Sequence, residues 1–452
     1  MAMLGGPIIG SAGADSPSSI TYTVNPIAIQ LTSASKPSQV PTPGQCIAGA
    51  GLACYTPQIL HTAYQVPWTI DGQLAGTGEQ VAIVDAFGSP TIASDLAIYD
   101  SEFGLPAANL HVYYPDGPVT YSPMARKGLQ TGWAEETSLD VETVHDLAPG
   151  ARINLIVGSS PSGNVLNGAE QYALTNHLGD VMTMSFGSPE AAIKGKGNNL
   201  QIQQADAIYR QAAAQLVSVF ASSGDSGASN GYSTANALFP ASDPNVTSTG
   251  GTDLFVAADA DPTGTSTDGT WTSEYTWNDS DPLTCPFGCT QGIIGATGGA
   301  ASSVFSAPSY QSAASGLTAR TTSDVSFNSS VYTGSLIYFG FLPPGNNGFY
   351  FVGGTSEASP SWAAIGADLD QAHGSDLGLL NPILYGLAAN PTTYAADFHD
   401  VTVGNNNFPT PSSPGSSART GYDEPTGLGT PIVSGLLGSQ AAAGTTFGYI
   451  QP

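Results

Sequence analysis

The stretch Gly353-Gly354-Thr355-Ser356-Glu357-Ala358-Ser359-Pro360 separates two apolar runs. Residues 349–352 have the composition of a strand, and residues 362–369 suit a buried helix. Two glycines allow a sharp turn that approaches a ligand, and Pro360 fits the first turn of a helix. The pattern predicts a strand, a turn and a helix that present Ser356 as a nucleophile. Thr355 or Ser356 could instead only cap the helix, and this stretch leaves both interpretations open.

The composition describes an acidic protein that can bury a large core. The chain has 452 residues, 41% of them hydrophobic, and 35 Asp and Glu against 9 Lys and Arg give a formal net charge of −26. No run is long and apolar enough to span a bilayer. The charge excludes nucleic acid and anionic membranes as partners. Because the chain has few basic groups, few positive charges repel one another once the carboxylates are protonated in acid. An ordinary acidic surface explains the excess of acidic residues equally well.

The four cysteines form two close pairs, Cys46 with Cys54 and Cys285 with Cys289. This spacing permits two short disulfide loops or, in principle, one four-thiolate metal site. We favour disulfides because neither pair has the Cys-x-x-Cys form of a zinc knuckle. Disulfides predict a secreted, extracellular protein, although residues 1–14 carry no basic residue of the kind that begins a signal peptide.

Apolar runs alternate with helical patterns along most of the chain. Residues 80–88 form a continuous apolar run that ends in glycine, as a buried parallel strand does. The alternation predicts an α/β domain with a mainly parallel central sheet flanked by helices. Residues 1–43, rich in Ser, Thr and Pro, are predicted to form an extended arm or linker, and residues 44–452 the folded domain. The other predicted strands are 152–157, 180–186, 216–221 and 245–249, and the first helices are 55–64 and 91–103.

Two further stretches carry acidic residues with catalytic potential. Glu136 and Asp140 are four residues apart on a predicted helix, so their carboxyl groups repel one another and can share a proton. Solvated surface acids would show the same spacing. Asp225 ends the loop Ser222-Ser223-Gly224-Asp225 after a strand, where it could also form a simple Asx turn.

Taken together and in this order, these stretches resemble the sedolisin family, the serine-carboxyl peptidases with a subtilisin-like fold. The resemblance runs from about Tyr55 to the C-terminus. It rests on Glu136-x-x-x-Asp140 with Leu139 and Ala148-Pro149-Gly150-Ala151, on Ser222-Ser223-Gly224-Asp225, and on Gly354-Thr355-Ser356 with Pro360. Supporting motifs are Ser185-Phe186-Gly187, Phe239-Pro240-Ala241-Ser242, Thr276-Trp277-Asn278 and Asp324-Val325-Ser326.

The resemblance implies an acid-acting peptidase. Ser356 would be the nucleophile, Glu136 the general base and acid, and Asp140 the group that orients Glu136. A protonated Asp225 would donate a hydrogen bond to the oxyanion. Glutamate can accept and return a proton near its own pKa of about 4.3, whereas histidine would be charged there. Glu135 ranks second as the base because it points about 100° away on the helix.

The resemblance leaves no role for a histidine triad of the ordinary subtilisin type. Asp85 ends the first predicted strand, where subtilisins keep their aspartate, but no histidine lies in a matching His-Gly-Thr context. We therefore interpret Asp85 as structural or substrate-side. The histidines are expected to be surface or structural residues: His61, His111, His145, His177, His373 and His399.

A C-terminal region resembles the family's structural calcium site. The carboxylates of Asp400 and Asp423 would bind one Ca²⁺ together with the carbonyl oxygens of Val401, Arg419 and Gly421. The family usually has glycine at the position of Arg419, which matters little because only the carbonyl is used. A capped turn, in which Asp423 accepts backbone N–H groups, is the alternative.

The resemblance also implies partners. An extended or unfolded polypeptide would bind as a strand between residues 185–187 and 221–223 and deliver its scissile carbonyl to Ser356. Endopeptidase action, a monomer and removal of an N-terminal prodomain before maturation are expected. The alternative from another class is a catalytically silent secreted binding module that keeps the fold.

Overall fold

The computed structural model describes residues 20–24, 27–31, 40–122, 128–193, 199–284, 286–289, 292 and 295–443. The strands are β1 (Ile27–Gln30), β2 (Ala53–Tyr55), β3 (Thr69–Ile70), β4 (Gln73–Leu74), β5 (Gln80–Ala86), β6 (Asn109–Tyr113), β7 (Arg152–Gly158), β8 (Val181–Met184), β9 (Ser188–Pro189), β10 (Ser218–Ser222), β11 (Leu238–Phe239), β12 (Thr247–Val256), β13 (Trp271–Thr276), β14 (Ala301–Ser306), β15 (Ala319–Thr321), β16 (Val325–Asn328), β17 (Thr333–Phe339), β18 (Gly348–Gly353), β19 (Phe398–His399) and β20 (Thr430–Pro431). The helices are α1 (Pro43–Ala50), α2 (Pro57–Ala63), α3 (Ile92–Phe103), α4 (Leu129–Leu147), α5 (Gly163–Thr175), α6 (Glu190–Ile193), α7 (Asn199–Ala214), α8 (Ser309–Ser315), α9 (Thr355–His373), α10 (Asn381–Ala388), α11 (Pro391–Asp397) and α12 (Val433–Ala443).

A mainly parallel sheet organises these elements. Its strand order is β13-β12-β10-β8-β5-β7-β6, with β16 also paired to β12, and only β13 runs antiparallel to its neighbour. The prediction of an α/β fold with a mainly parallel central sheet is confirmed. The five predicted strands became β5, β7, β8, β10 and β12. The edge strand β6 was not predicted because its residues are partly exposed and form no continuous apolar run.

Helices cover both faces of this sheet. Val81 and Ile83 of β5 pack into the core that contains α4 and α9, whereas Ala82 and Val84 pack into the core that contains α5 and α7. Successive side chains of a strand point to opposite faces, so a strand buried on both sides must be apolar throughout. This arrangement explains the uninterrupted apolar run of residues 80–88.

A second sheet, in the order β1-β18-β17-β2, leads into the N-terminus of α9. β18 runs antiparallel to β17, and β1 pairs antiparallel with β18 from Ile27 opposite Gly353. Residues 27–30 of the predicted N-terminal arm are therefore extended, and they lie against the strand that precedes Ser356. The division of the chain at residues 43 and 44 stays a prediction.

The predicted disulfide between Cys46 and Cys54 is confirmed, and it joins α1 to β2. This pairing removes the alternative of a four-thiolate metal site. Cys285 of the second predicted pair lies outside the described residues. Among the helices of the described ranges, none has the length and apolar character needed to cross a membrane.

Many carboxyl groups are buried in the cores. Burial raises the pKa of Glu170 to about 8, that of Glu357 to about 8 and that of Asp243 to about 7. Glu170 is fully enclosed and accepts a hydrogen bond from the hydroxyl of Tyr209. These groups are therefore neutral in acid and must ionise inside the protein when the pH rises.

The free energy of unfolding should fall as the pH rises from about 4 to about 8. A carboxyl group with a raised folded-state pKa stabilises the fold fully below its unfolded pKa of about 4.3, and this contribution is lost as the pH rises through the folded pKa. Glu170→Gln removes the ionisable group and should flatten the fall by on the order of a few kcal/mol. Urea unfolding across this pH range checks it, with the exposed Glu102→Gln as control. An unchanged slope in Glu170→Gln would contradict the prediction.

Candidate active site

Ser356 lies in the first turn of α9, directly after the turn that follows β18. A Cβ atom on Gly353 would lie 2.5 Å from the carbonyl oxygen of Ser329. Gly354 has a φ of 115°, which side-chain-bearing residues rarely adopt. The turn therefore requires both glycines, and it places Ser356 almost fully buried, at 3% exposure, at the helix N-terminus.

Pro360 lies in the second turn of α9, so its predicted place in the first turn was wrong. The helix begins at Thr355, earlier than the proline suggested. A proline at this position cannot donate an N–H to the carbonyl oxygen of Ser356 four residues before it. That oxygen instead lies 3.2 Å from the Oγ atom of Ser185, just beyond β8. The proline thus frees a backbone acceptor of Ser356 for a contact with the sheet.

Glu136 and Asp140 lie on α4, which packs against α9, and both are fully buried. The alternative of solvated surface acids is therefore wrong. Burial raises the pKa of Glu136 well above its usual range, the charge of Asp140 raises it further, and the nearby hydroxyl of Ser356 lowers it. Both oxygens of Glu136 are buried, and neither has a hydrogen-bond partner within 3.5 Å among the described residues. Glu136 is therefore a buried carboxyl group close to Ser356 that is free to accept a proton once the two oxygens approach.

Ser185 links Asp140 to the backbone of Ser356. Its Oγ atom lies 2.7 Å from Oδ1 of Asp140 and 3.2 Å from the carbonyl oxygen of Ser356. A hydroxyl group has one hydrogen, so both contacts are hydrogen bonds only when Asp140 donates a proton to Ser185. Burial and then the charge of Asp85 raise the pKa of Asp140 well above its usual range, which favours this protonated form.

Asp85, the penultimate residue of β5, is fully buried next to this pair. Burial raises its pKa to about 7, and its charge in turn raises the pKa of both Glu136 and Asp140. A substrate-side position is therefore wrong, because the group faces the buried pair. Three carboxyl groups this close cannot all ionise, so they titrate together. The position of Asp85 near a strand end was the signal that the sequence offered.

Asp225 follows β10 and contacts the turn before Ser356. Its Oδ1 atom accepts hydrogen bonds from the backbone N–H of Thr355 at 2.7 Å and from the Thr355 hydroxyl at 2.8 Å. These partners lie 130 residues away, so Asp225 does more than close a local Asx turn. Burial raises its pKa to about 6, although both hydrogen bonds act in the opposite direction. In mild acid the carboxyl group of Asp225 is thus protonated. Its Oδ2 atom, which does not bond to Thr355, lies close to Gly354.

Ser356 and Asp225 line a cleft of about 400 Å³, together with Thr355 and residues 185–187. Glu136 and Asp140 do not line it, because both are fully buried. The cleft lies beyond the carboxyl ends of β8 and β10, where functional groups of open α/β sheets gather. The structure therefore brings together all four residues that were predicted to be catalytic.

Part of the chain's own N-terminal arm lies in this cleft. Thr23 and Gly187 exchange two backbone hydrogen bonds, of 3.0 and 3.2 Å. Earlier in the arm, Tyr22 donates its N–H to the carbonyl of Pro161, and the carbonyl of Ile20 accepts a hydrogen bond from the N–H of Gly163. Residues 20–23 thus occupy the space between two backbone segments as an added strand does.

Comparison with known proteins agrees with this arrangement. The model of the Subtilase family matches residues 128–383, which contain all four residues around the cleft. The chain belongs to the subtilase family. Within it, the chain is a member of the sedolisins, as the following relatives indicate.

Kumamolisin of Bacillus sp. (strain MN-32) is 31% identical over 404 residues, which are 86% of this chain and 64% of that protein. Sedolisin of Pseudomonas sp. (strain 101) is 31% identical over 385 residues, which are 82% of this chain and 59% of that protein. The chain therefore spans less than two thirds of the length of either relative. A solved structure of Pseudomonas sedolisin, described as a serine-carboxyl proteinase complexed with two molecules of pseudo-iodotyrostatin, superposes with a TM-score of 0.71 and 27% identity, covering 87% of this chain and 99% of that one.

Histidine takes no part in the site, as was expected from the sequence. All six histidines are described, and none hydrogen-bonds to Ser356 or Asp85. His61 and His145 are buried and bond to backbone carbonyls and to Asp146 and Asp100. Glu135 is only partly buried, and its charge acts on Tyr121 and Tyr350 on another side of α4.

The predicted calcium loop brings its residues together, but through hydrogen bonds. Asp400 accepts the N–H of Gly421 at 3.1 Å, and Asp423 accepts the N–H of Arg419 at 3.0 Å. Val401 is buried beside Asp400. Asp423 also accepts the N–H of Thr426, as the capped-turn alternative requires. A calcium site at this loop therefore stays a prediction.

Proposed function

We propose that this sedolisin is an acid-acting serine-carboxyl peptidase that hydrolyses peptide bonds in unfolded proteins. The observation that carries the proposal is the position of Ser356, which lines a cleft and lies close enough to the buried Glu136 to lower its pKa, with Asp140 next to Glu136. A nucleophile, a base beside it and a group that orients the base are the parts that acyl transfer needs.

Each group then has a defined step. Ser356 Oγ attacks the scissile carbonyl carbon and gives its proton to Glu136, while protonated Asp225 donates a hydrogen bond to the developing oxyanion. Glu136 returns the proton to the leaving nitrogen, which leaves an acyl-enzyme. Water then attacks the ester carbon and gives a proton to Glu136. Glu136 returns this proton to Oγ as the ester bond breaks, which releases the acid product and restores Ser356.

The protonation states needed for these steps exist together only in acid. The coupled carboxyl groups of Asp85, Glu136 and Asp140 must lose one proton in total, so that Glu136 can act as a base. Asp225 must keep its proton, and its pKa of about 6 sets the upper limit. Activity should therefore fall on the alkaline side near pH 6 and on the acid side when the cluster is fully protonated.

The N-terminal arm suggests how substrate binds. An extended polypeptide would replace residues 20–23, pair its backbone with Gly187 on one side and with residues 161–163 on the other, and reach Ser356. Residues 20–23 extend from Gly187 to Gly163. A substrate in their place would therefore bind through several residues on the acyl side of the scissile bond. This opening favours endopeptidase action over release of tripeptides.

We also propose that one structural Ca²⁺ binds at Asp400 and Asp423 with the carbonyls of Val401, Arg419 and Gly421. The residues fit a cation because the charge of Asp400 raises the pKa of Asp423, which means that the two carboxylates repel one another. The Arg419 side chain bonds to the Tyr422 carbonyl, so it does not neutralise either carboxylate. The ion would brace this loop against its neighbours. Its binding is tested with the variants described in the next subsection.

Export is a further proposal, supported by the Cys46–Cys54 disulfide, because such bonds persist in oxidising compartments. Recovery of active protein only from the cytosol, with both thiols reduced, would contradict it. A prodomain and a monomeric state stay predictions.

Replacing the nucleophile or the base should abolish proteolysis. Ser356→Ala and Glu136→Gln should each lower cleavage of a denatured protein at least about 10³-fold between pH 2 and 8, because neither can complete proton transfer. Glu135→Gln, a matched change one residue away, should leave the rate roughly unchanged. Mass spectrometry of the fragments should show internal cleavage.

Other outcomes would change the assignment. Loss of activity in Glu135→Gln with retention in Glu136→Gln would exchange their roles, and products made only of successive tripeptides would overturn endopeptidase action. A folded wild type that cleaves nothing at any pH would favour the silent binding module.

The donor role of Asp225 predicts a shift in the pH profile. Asp225→Asn keeps an acceptor for Thr355 and offers an amide donor at every pH, so the alkaline limb of kcat/KM should move upward from about pH 6 by more than about one unit. Asp225→Ala should lose about 10²- to 10³-fold in kcat. An active Asn variant with an unmoved alkaline limb would show that another group sets it.

A further inference from the structure

A second group of acidic residues lies at the edge of the sheet opposite the cleft. Glu79 directly precedes β5, Asp370 is in the last turn of α9, and Asp376 follows that helix. One carboxylate oxygen from each of the three lies within 4.8 Å of those from the other two. We refer to these residues as the basal cluster. Asp180, directly before β8, acts on the pKa of both Glu79 and Asp370.

Asp370 is the buried member of the basal cluster. Its side chain is fully enclosed, and its Oδ1 atom accepts the N–H of Leu377 at 2.7 Å. Its Oδ2 atom is buried and has no hydrogen-bond partner among the described residues. This oxygen is therefore the one left to face Glu79 and Asp376. A buried carboxylate oxygen without a partner is costly unless a proton or a cation meets it.

No arginine of the described residues pairs with the basal cluster, and these residues include no lysine. The arginines are 152, 210, 320 and 419, and each has a different partner, while His373 in the last turn of α9 bonds to Ser375. Arg152 bonds to Asn154 and Tyr113, Arg210 to Asp206, Arg320 to Asp324, and Arg419 to the Tyr422 carbonyl.

The end of α9 adds to this excess of negative charge. The C-terminus of a helix carries a partial negative charge, which favours a cation in the last turn. The described side chains supply no counter-ion for three carboxylates held within 4.8 Å of one another.

We propose that Glu79, Asp370 and Asp376 bind a calcium ion, at a site separate from the C-terminal loop. Calcium takes oxygen ligands at about 2.4 Å, so two ligands of one ion lie up to about 4.8 Å apart. The three carboxylate oxygens meet this limit as they stand. Magnesium demands near-ideal octahedral geometry and usually keeps several waters, so it suits three clustered carboxylates less well, and zinc prefers nitrogen and sulfur ligands that the cluster lacks.

The site would fix the far end of the helix that carries Ser356. Asp370 lies about 21 Å along α9 from Ser356, at about 1.5 Å per residue. A bound ion would tie that end to the residues just before β5, and it would do so at neutral pH, where the carboxylates otherwise repel. The site therefore stabilises the protein and takes no part in the chemistry.

Calcium-binding stoichiometry tests the proposal. Chelator-treated protein is titrated with CaCl₂ by calorimetry at about pH 7.5, to about 10 mM. Asp376→Asn and Glu79→Gln should each bind one ion fewer than the wild type, whereas the exposed control Glu102→Gln should match it. Asp423→Asn reports separately on the C-terminal loop, so failure at one site is distinguishable from failure at the other.

Thermal unfolding gives a second readout that does not depend on activity. Calcium should raise the Tm of Asp423→Asn by several degrees, because the basal cluster remains, and should not raise the Tm of the double variant Asp423→Asn/Asp376→Asn. Asp376→Asn and Glu79→Gln both leave the fully buried Asp370 unchanged, so that the protein core is not altered. Equal stoichiometry in the wild type, Asp376→Asn and Glu79→Gln would overturn the proposal.

Discussion

The burial of carboxyl groups without matching cations determines how this molecule works. The chain has 35 acidic and 9 basic residues, and it buries acids on both faces of its central sheet. Most buried acids have a raised pKa because burial disfavours their charged form. Asp324 is buried beside Arg320 and forms an ion pair with it. The same physical effect therefore underlies both the predicted stability in acid and the proposed proton transfer at Ser356.

Helix α9 connects the parts that depend on this effect. Its N-terminus holds Ser356 against the buried pair of α4, and its last turn holds Asp370 in the basal cluster. The two ends differ in their electrostatics, because the N-terminus of a helix favours developing negative charge and the C-terminus favours a cation. The proposed oxyanion at the first end and the proposed cation at the second would each lie where the helix assists them.

The sequence predicted features that depend on local pattern. The strand at residues 80–88 was found because burial on both faces leaves an unbroken apolar run, and the carboxyl pair of α4 was found because its spacing matches the helix period. Edge strand β6 lacks such a run and was missed. The basal cluster was also missed, because Glu79 and Asp370 are far apart in the sequence and only the parallel topology brings them together.

The position of Asp85 shows why the choice of base and the acidity of the site belong together. Asp85 is near the end of β5 and adds a third carboxyl group to the pair on α4. With a histidine nearby, such a group would stabilise an imidazolium ion. Beside Glu136 and Asp140 it is instead a third group that shares the protons of the cluster, so that loss of one proton leaves a site that can accept the proton of Ser356. The proposed acidic working range then depends on Asp225, which must stay protonated to donate to the oxyanion and whose pKa is about 6.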